Sequence, residues 1–484
     1  MAKNKKTRQR TQRASLERRA KRLDGRGQRA DAGFGSGAAF GLGGGESGAP
    51  LDPAVAVRDA IDDAIAQAAN AAGCRCSRDH SGQLDAVMPP LVDASAPVAR
   101  LPRVQAAAMA HVRAMLLAVV EQRWQQGWEP ADVLRLARRR LSRVHVYLLG
   151  AAVAEQLSRY PADSVEVRWD DQLQAAGWRS RAEGASALAD AMGSWPGGWP
   201  ALARPTVELI GMLAAQGTLP PVSAAPGGLA QKARAARSSA DRAADVDAKV
   251  LAKVRALLAK AESTDYPAEA ETFTAAAQSL MARHSIDAAL LAASQPDSGQ
   301  GDGVRCLRLD VEAPYENAKA LLLQCIADAN RCRAVWASDA GFSNVIGYPS
   351  DLLAVEVLYT SLLVQALTSL TAAGRSAEAG ARSRSATFRR SYLHSYAQRI
   401  GERLTLASET TTNEVAAGTS QALLPVLAAR SKAVEDTVEE LFPHVQRKAT
   451  STVDPAGWAS GRAAADLASL APGAEVGDGS TAGR

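Results

Sequence analysis

Cationic side chains dominate the groups in this sequence that could do chemistry. The first 29 residues hold twelve basic groups, among them Lys5, Lys6, Arg8, Arg10, Arg18 and Arg19, against two acids, Glu17 and Asp24. This segment carries +10 while the whole chain carries +5, so the remainder sums to −5 and the basic character belongs to an arm. Like charges repel one another and keep such a segment solvated and disordered, and they bind phosphate backbones by releasing counterions. A second cluster, Arg135, Arg138, Arg139, Arg140 and Arg143, follows a Gly127-Trp128-Glu129-Pro130 turn. A helix of this charge suits phosphate contact, but beyond arginine it offers little for reading base edges. Lys249, Lys253 and Lys260 form a third set, within a stripe about 40° wide at about 100° per helical residue. A lysine row can follow phosphates; a solvated helix face accounts for it as well.

The remaining constellations are weaker. Cys74-Arg75-Cys76 with His80 supplies three ligand types, but the spacing is not one that structural zinc sites use. Cys325 and Cys332 read as small buried apolar residues. His284 closes an apolar stripe at the expected C-terminal end of its helix, where the dipole favours a cation. Asp339, Ser343 and Asn344 lie near predicted strand ends, where loops commonly carry function. No lysine follows a glycine, so there is no phosphate-binding loop of the G-K-[ST] kind, and neither H-E-x-x-H nor G-x-S-x-G occurs. No catalytic, cofactor or metal residues are assigned.

These groups need elements to position them. Residues 1–50 read as a disordered basic and Gly-rich arm, and 51–219 as a helical domain with helices near 53–71, 105–127, 130–142, 144–159 and 205–216. Six of the eight tryptophans fall in that domain and are expected to anchor its core. A Pro/Gly and Ala/Arg linker follows at 220–245, then a helical hairpin within 246–292, with helices at 246–262 and 268–284. Residues 305–470 read as an α+β unit with a two- or three-stranded sheet, including strands around Arg333–Ala337 and Asn344–Tyr348. Long helices are expected there through Ala373 and over 385–406, and 471–484 reads as a disordered tail. Phe388, Tyr392, Tyr396, Ile400 and Leu404 repeat at helical spacing and predict a core stripe. The fold class is therefore mainly α, with a small α+β unit in the C-terminal half. Because a two-helix hairpin closes no core, Leu257, Leu258, Phe273, Leu280 and Met281 should be buried, at least partly against the α+β unit. The 51–219 domain is expected to form a separate body.

The hairpin carries a resemblance. Val254-Arg255-Ala256-Leu257-Leu258-Ala259-Lys260-Ala261, Pro267-Ala268-Glu269-Ala270-Glu271, Gln278, Leu280-Met281-Ala282-Arg283-His284 and Ile286-Asp287 closely resemble the domain-of-unknown-function 2786 family. Where that family often has a lysine, this chain has Ala276. Residues 305–408 and Asp454-Pro455-Ala456-Gly457-Trp458 with Gly461-Arg462-Ala463-Ala464-Ala465 look like the companion domain that often follows the hairpin. The Gly127–Asp132 turn with Arg138-Arg139-Arg140 resembles the helical region that precedes it in actinobacterial members. The resemblance implies an architecture and no activity.

Composition bounds the rest. A 47% apolar content excludes wholesale disorder, and five scattered cysteines exclude a disulfide scaffold. Eleven lysines against 45 arginines point to a GC-rich bacterial genome. No apolar run follows the basic arm as a secretory signal requires, and the charge-free stretch Val357–Gly374 carries many polar groups for a span of ~20 mostly apolar residues. The expectation is a cytoplasmic, non-enzymatic protein that contacts nucleic acid through phosphates, with no membrane and no cofactor. Two alternatives stand beside it: a hydrolase-like enzyme with a non-standard site in 305–408, and a protein–protein scaffold.

Overall fold

In the computed structural model, the described residues are 52–74, 81–178, 184–227, 253, 279–290, 303–375, 385–418, 423–443, 445 and 454–468. The expectations for the basic arm, the Gly-rich segment, most of the hairpin including Leu257, Leu258 and Phe273, and the C-terminal tail fall outside them.

Proline and capping side chains start the N-terminal helices. Helix α1 (Pro53–Gly73) has Pro53 in its first turn, where a missing N–H costs nothing, and Asp52 accepts from the Ala54 N–H at 3.0 Å. Three short helices follow: α2 (Ser81–Val87), α3 (Pro89–Val92) and α4 (Pro97–Arg100). The long α5 (Pro102–Gln125) precedes α6 (Pro130–Arg140) and α7 (Arg143–Leu157). Then come α8 (Val167–Ala175), α9 (Ala187–Gly193) and α10 (Gly198–Ala214). Their apolar faces meet in one core containing Ile61, Leu91, Leu116, Leu117 and Leu134. Four tryptophans anchor it as expected: Trp124, Trp128, Trp169 and Trp199 are at most 3% exposed. Trp178 and Trp195 differ, being only half-buried.

The second half is built on a three-stranded antiparallel sheet in the order β1-β3-β2, with β1 (Arg305–Asp310), β2 (Arg333–Ala337) and β3 (Phe342–Gly347). Every residue of β3 is buried, because the sheet is covered on both faces. Side-chain alternation divides those faces. Phe342 belongs to the N-terminal core, while Val345, with Leu307 and Leu309 of β1 and Ala334 of β2, belongs to the core of the second half.

That second core is closed by helices. We label residues 279–290 α11; α12 (Glu316–Ala329), α13 (Pro349–Arg375), α14 (Ala386–Gly418), α15 (Leu423–Leu441) and α16 (Pro455–Leu467) follow. The stripe Phe388, Tyr392, Tyr396, Ile400 and Leu404 is buried in it. Helices α5 and α13 are long and apolar enough to cross a membrane by length and composition; in the structure each places its apolar residues in one of the two cores.

Three expectations need correction. Helix α11 continues six residues beyond His284, so that histidine does not sit at a helix C-terminus. Helix α14 extends to Gly418 rather than 406. The 51–219 region is not a separate body, because the described residues from Asp52 onward belong to one compact unit. Trp128 and Phe342 make an edge-on contact at 6.2 Å between the two halves. For the hairpin, Leu280 and Met281 are half-buried, Met281 packs on the α12–α14 core, and Ile286 and Ala289 pack on Leu423 and Leu427 of α15.

Candidate functional site

The Gly127–Asp132 turn positions the arginine helix. Gly127 has a φ of 79°, and a Cβ there would collide with the Leu219 carbonyl, so glycine is required twice over. The Glu129 N–H donates to Asp132 Oδ2 at 2.9 Å as half of a capping box that starts α6. Asp132 also accepts from Arg308 of β1, and both side chains are almost fully buried. Arg308 further donates to the Pro220 carbonyl at 2.8 Å and to Asn344 Oδ1 at 3.0 Å, and its guanidinium lies 5.0 Å from the Phe342 ring centre. A buried pair with its remaining donors satisfied joins the two halves.

Helix α6 extends this contact along one side. Arg135 donates to Asp310 and Glu312, Arg139 to Glu316, and Arg140 pairs with Asp339 at 3.2 Å. Three of the five clustered arginines are thus committed to acids of the second half. Arg138 and Arg143 are exposed, and neither has an ion pair among the described residues.

Those two arginines line a cleft of about 800 Å³ between α7, α8 and α9. Tyr147 and Trp178 are its aromatic lining, and Trp195 packs beside Tyr147. Tyr147, 44% exposed, lies 5.1 Å from Trp178 and 5.6 Å from Trp195 between ring centres. The Trp178 ring fits against Gly150, where a Cβ would collide with it. The opposite wall carries Asp190 and Ser194. The indole N–H groups divide the tryptophans into two kinds. Trp124 donates to Gln156, Trp128 to the Gly217 carbonyl, Trp169 to Ser223 and Trp199 to the Leu91 carbonyl. Trp178, Trp195 and the Tyr147 hydroxyl have no hydrogen-bond partner among the described residues. The cleft therefore brings together cations, the exposed Tyr147 ring and its hydroxyl.

The other sequence candidates are dispersed. Lys253 is exposed. Lys5, Lys6, Arg8, Arg10, Arg18, Arg19, Lys249 and Lys260 lie outside the described residues, as do Cys76 and His80. Asp339 sits in an exposed turn, whereas Ser343 and Asn344 are buried in β3, so the three share no site. Among the described residues no cluster of three metal-ligating side chains forms. Burial pushes the Cys306 thiol up to about 11 and Cys325 up to about 12, and raises Cys332 as well. All three remain protonated at neutral pH and are poor nucleophiles.

One further polar group lies where α11 meets the second half. Arg331 donates to Ser285 Oγ at 2.7 Å and to Asp351 Oδ1 at 3.1 Å, and Ser285 donates to Asp351. The adjoining cavity is about 30 Å³, room for a water and too small for a substrate. This triad fastens α11 to the sheet-bearing half.

The fold is thus that of a mainly α protein with a small α+β unit and an aromatic, cationic cleft in its N-terminal half. Residues 249–288 match the family described as protein of unknown function DUF2786. Residues 279–288 of α11, with Ser285, are the described end of the matched segment. No curated protein and no solved structure matches the chain.

Acid–base behaviour gives a test of the buried pair. Burial pushes Asp132 up to about 6, against the opposing pull of Arg308 and the Glu129 N–H. A raised carboxyl binds its proton more tightly in the folded chain than in the unfolded one. Its contribution therefore favours folding at low pH, and is lost as pH rises from the ordinary carboxyl range through about 6. Asp132→Asn, which keeps an acceptor for Arg308, should flatten the stability curve between about pH 4 and 6. Denaturant midpoints across that window check it; a wild-type slope in the variant contradicts the assignment.

Proposed function

We propose that this protein is a cytoplasmic, non-enzymatic nucleic-acid-binding protein that makes phosphate contacts through its basic arm and through the exposed arginines of the α6–α7 corner. The observation that carries the reading is the division within the arginine cluster. Arg135, Arg139 and Arg140 pair with carboxylates, while Arg138 and Arg143 are exposed at the cleft and neither makes an ion pair among the described residues, Asp190 lying on the opposite wall. Cations at the end of α6 also complement the helix dipole, so Arg138 serves its helix with or without a ligand. Arg143 begins α7, where the dipole disfavours a cation and gives it no such role. The +10 arm supplies the long-range attraction that brings a polyanion near.

Mobility shifts with duplex DNA, single-stranded DNA and RNA at several salt concentrations test this. Binding should weaken steeply with salt, and removal of residues 1–29 should lower the slope of log affinity against log salt. Absence of binding at low salt, or an unchanged slope without the arm, contradicts the proposal.

A further inference from the structure

We infer that the cleft between α7, α8 and α9 is a stacking site for an unpaired nucleobase, so that the protein prefers single-stranded to duplex nucleic acid. The inference rests on the phosphate-binding reading above and adds what the cleft itself recognises.

Phosphate contacts alone favour the duplex, whose charge density is higher, so a preference for the single strand needs a source other than charge. An exposed aromatic ring supplies one. Tyr147 presents nearly half its surface to solvent, and Trp178 and Trp195 flank it at tilted angles of 49° and 43°. Trp178 and Trp195 pack against the N-terminal core and hold the Tyr147 ring between them with its outer side open to solvent. Bases inside a duplex have their faces covered by neighbours, whereas an unpaired base can lay one face on such a ring.

The surrounding groups match the rest of a nucleotide. Arg138 and Arg143 line the cleft, so a base stacked on Tyr147 can direct its phosphate to either guanidinium. The Tyr147 hydroxyl, without a partner among the described residues, is a donor suited to the carbonyl and ring-nitrogen acceptors of a base edge. Asp190 accepts from Ser186 through Oδ2 at 2.7 Å and presents a carboxylate to exocyclic amino groups. At about 800 Å³ the cleft accommodates one nucleotide and its neighbours in a strand.

The test uses the full chain and fluorescence anisotropy with a labelled 12-nucleotide DNA strand, the same sequence as a blunt duplex, and ATP as a competitor. The wild type should bind the single strand more tightly than the duplex at equal salt. Tyr147→Ala should weaken single-strand binding by roughly five- to a hundredfold, the range for loss of one stacked base, and leave duplex binding unchanged. Tyr147→Phe should retain most of the preference, showing that the ring face is responsible and the fold intact. Deleting residues 1–29 should weaken both forms together. Equal effects of Tyr147→Ala on strand and duplex, or none on either, overturn the stacking site while leaving phosphate binding in place. Binding of neither form at low salt overturns both readings. Competition by ATP at concentrations that release the strand, with no strand preference over duplex, assigns the cleft to free nucleotides and overturns the inference.

Discussion

Arg308→Ala should destabilise the protein by roughly 3–5 kcal/mol, the loss expected when one partner of a buried ion pair is removed. The Asp132 carboxylate, 6% exposed, would keep only the Glu129 N–H as a donor. The carbonyls of Gly127 and Pro220 and the side chain of Asn344 would lose the same guanidinium. Because these acceptors belong to the N-terminal helices, the linker and the sheet, both halves should lose hydrogen-exchange protection together. Replacing the pair at once, with Arg308→Met and Asp132→Leu, should recover much of the loss, since apolar groups of similar volume need no partners. Chemical denaturation of the single and double variants measures this. A single-variant loss below about 1 kcal/mol, the range of exposed pairs, contradicts a buried clamp.

Gly461→Ala is the second large effect, at about 1–3 kcal/mol or more for an overpacked helix contact. Helix α16 lies against α14 through Gly457 and Gly461, one turn apart. A Cβ on Gly461 would collide with the Tyr392 carbonyl and with Ser395 Oγ, and one on Gly457 would come within 2.5 Å of the Phe388 carbonyl. Most of these obstacles are backbone atoms, which cannot rotate away. The Asp454-Pro455-Ala456-Gly457 start is a helix cap, with Asp454 accepting from the Gly457 N–H at 2.8 Å. Alanine normally favours a helix over glycine by about 1 kcal/mol, so destabilisation by Gly461→Ala would mark close packing. A neutral or stabilising result would mean that α16 sits farther from α14 than described.

Much of this fold was legible in the residues. Helical periodicity marks α1, α6, α7 and α13 close to their observed ends, with proline in the first turn of α1, α6 and α13. Strand β1 was not singled out, because its sequence, RCLRLD, reads as half polar. Arg308 and Asp310 occupy the face covered by α6; Arg308 is buried by its ion pair, and Asp310, though exposed, pairs with Arg135, so charge there also reports tertiary contact. Helix α14 outran its expected end through Thr410, Thr411 and Thr412. Each hydroxyl donates to a carbonyl four residues earlier, which satisfies polar groups that otherwise favour turns.

The arginine cluster was visible as a cluster, but its division was not. Which of five neighbouring arginines meets a carboxylate depends on Asp310, Glu312, Glu316 and Asp339, far along the chain. The aromatic grouping was hidden for the same reason. Tyr147, Trp178 and Trp195 belong to separate elements, and all the tryptophans of that region read alike as core until their indole partners are known.

Hydrogen exchange of the full chain with and without an excess of single-stranded oligonucleotide at low salt tests strand binding at the cleft directly. Added protection is expected at 138–147 and 190–195, the walls of the cleft, with no change along β1 and β3, where the arginines are already engaged. Protection absent from the cleft, or concentrated on the sheet and the carboxylates that hold Arg135, Arg139 and Arg140, would contradict binding at the cleft.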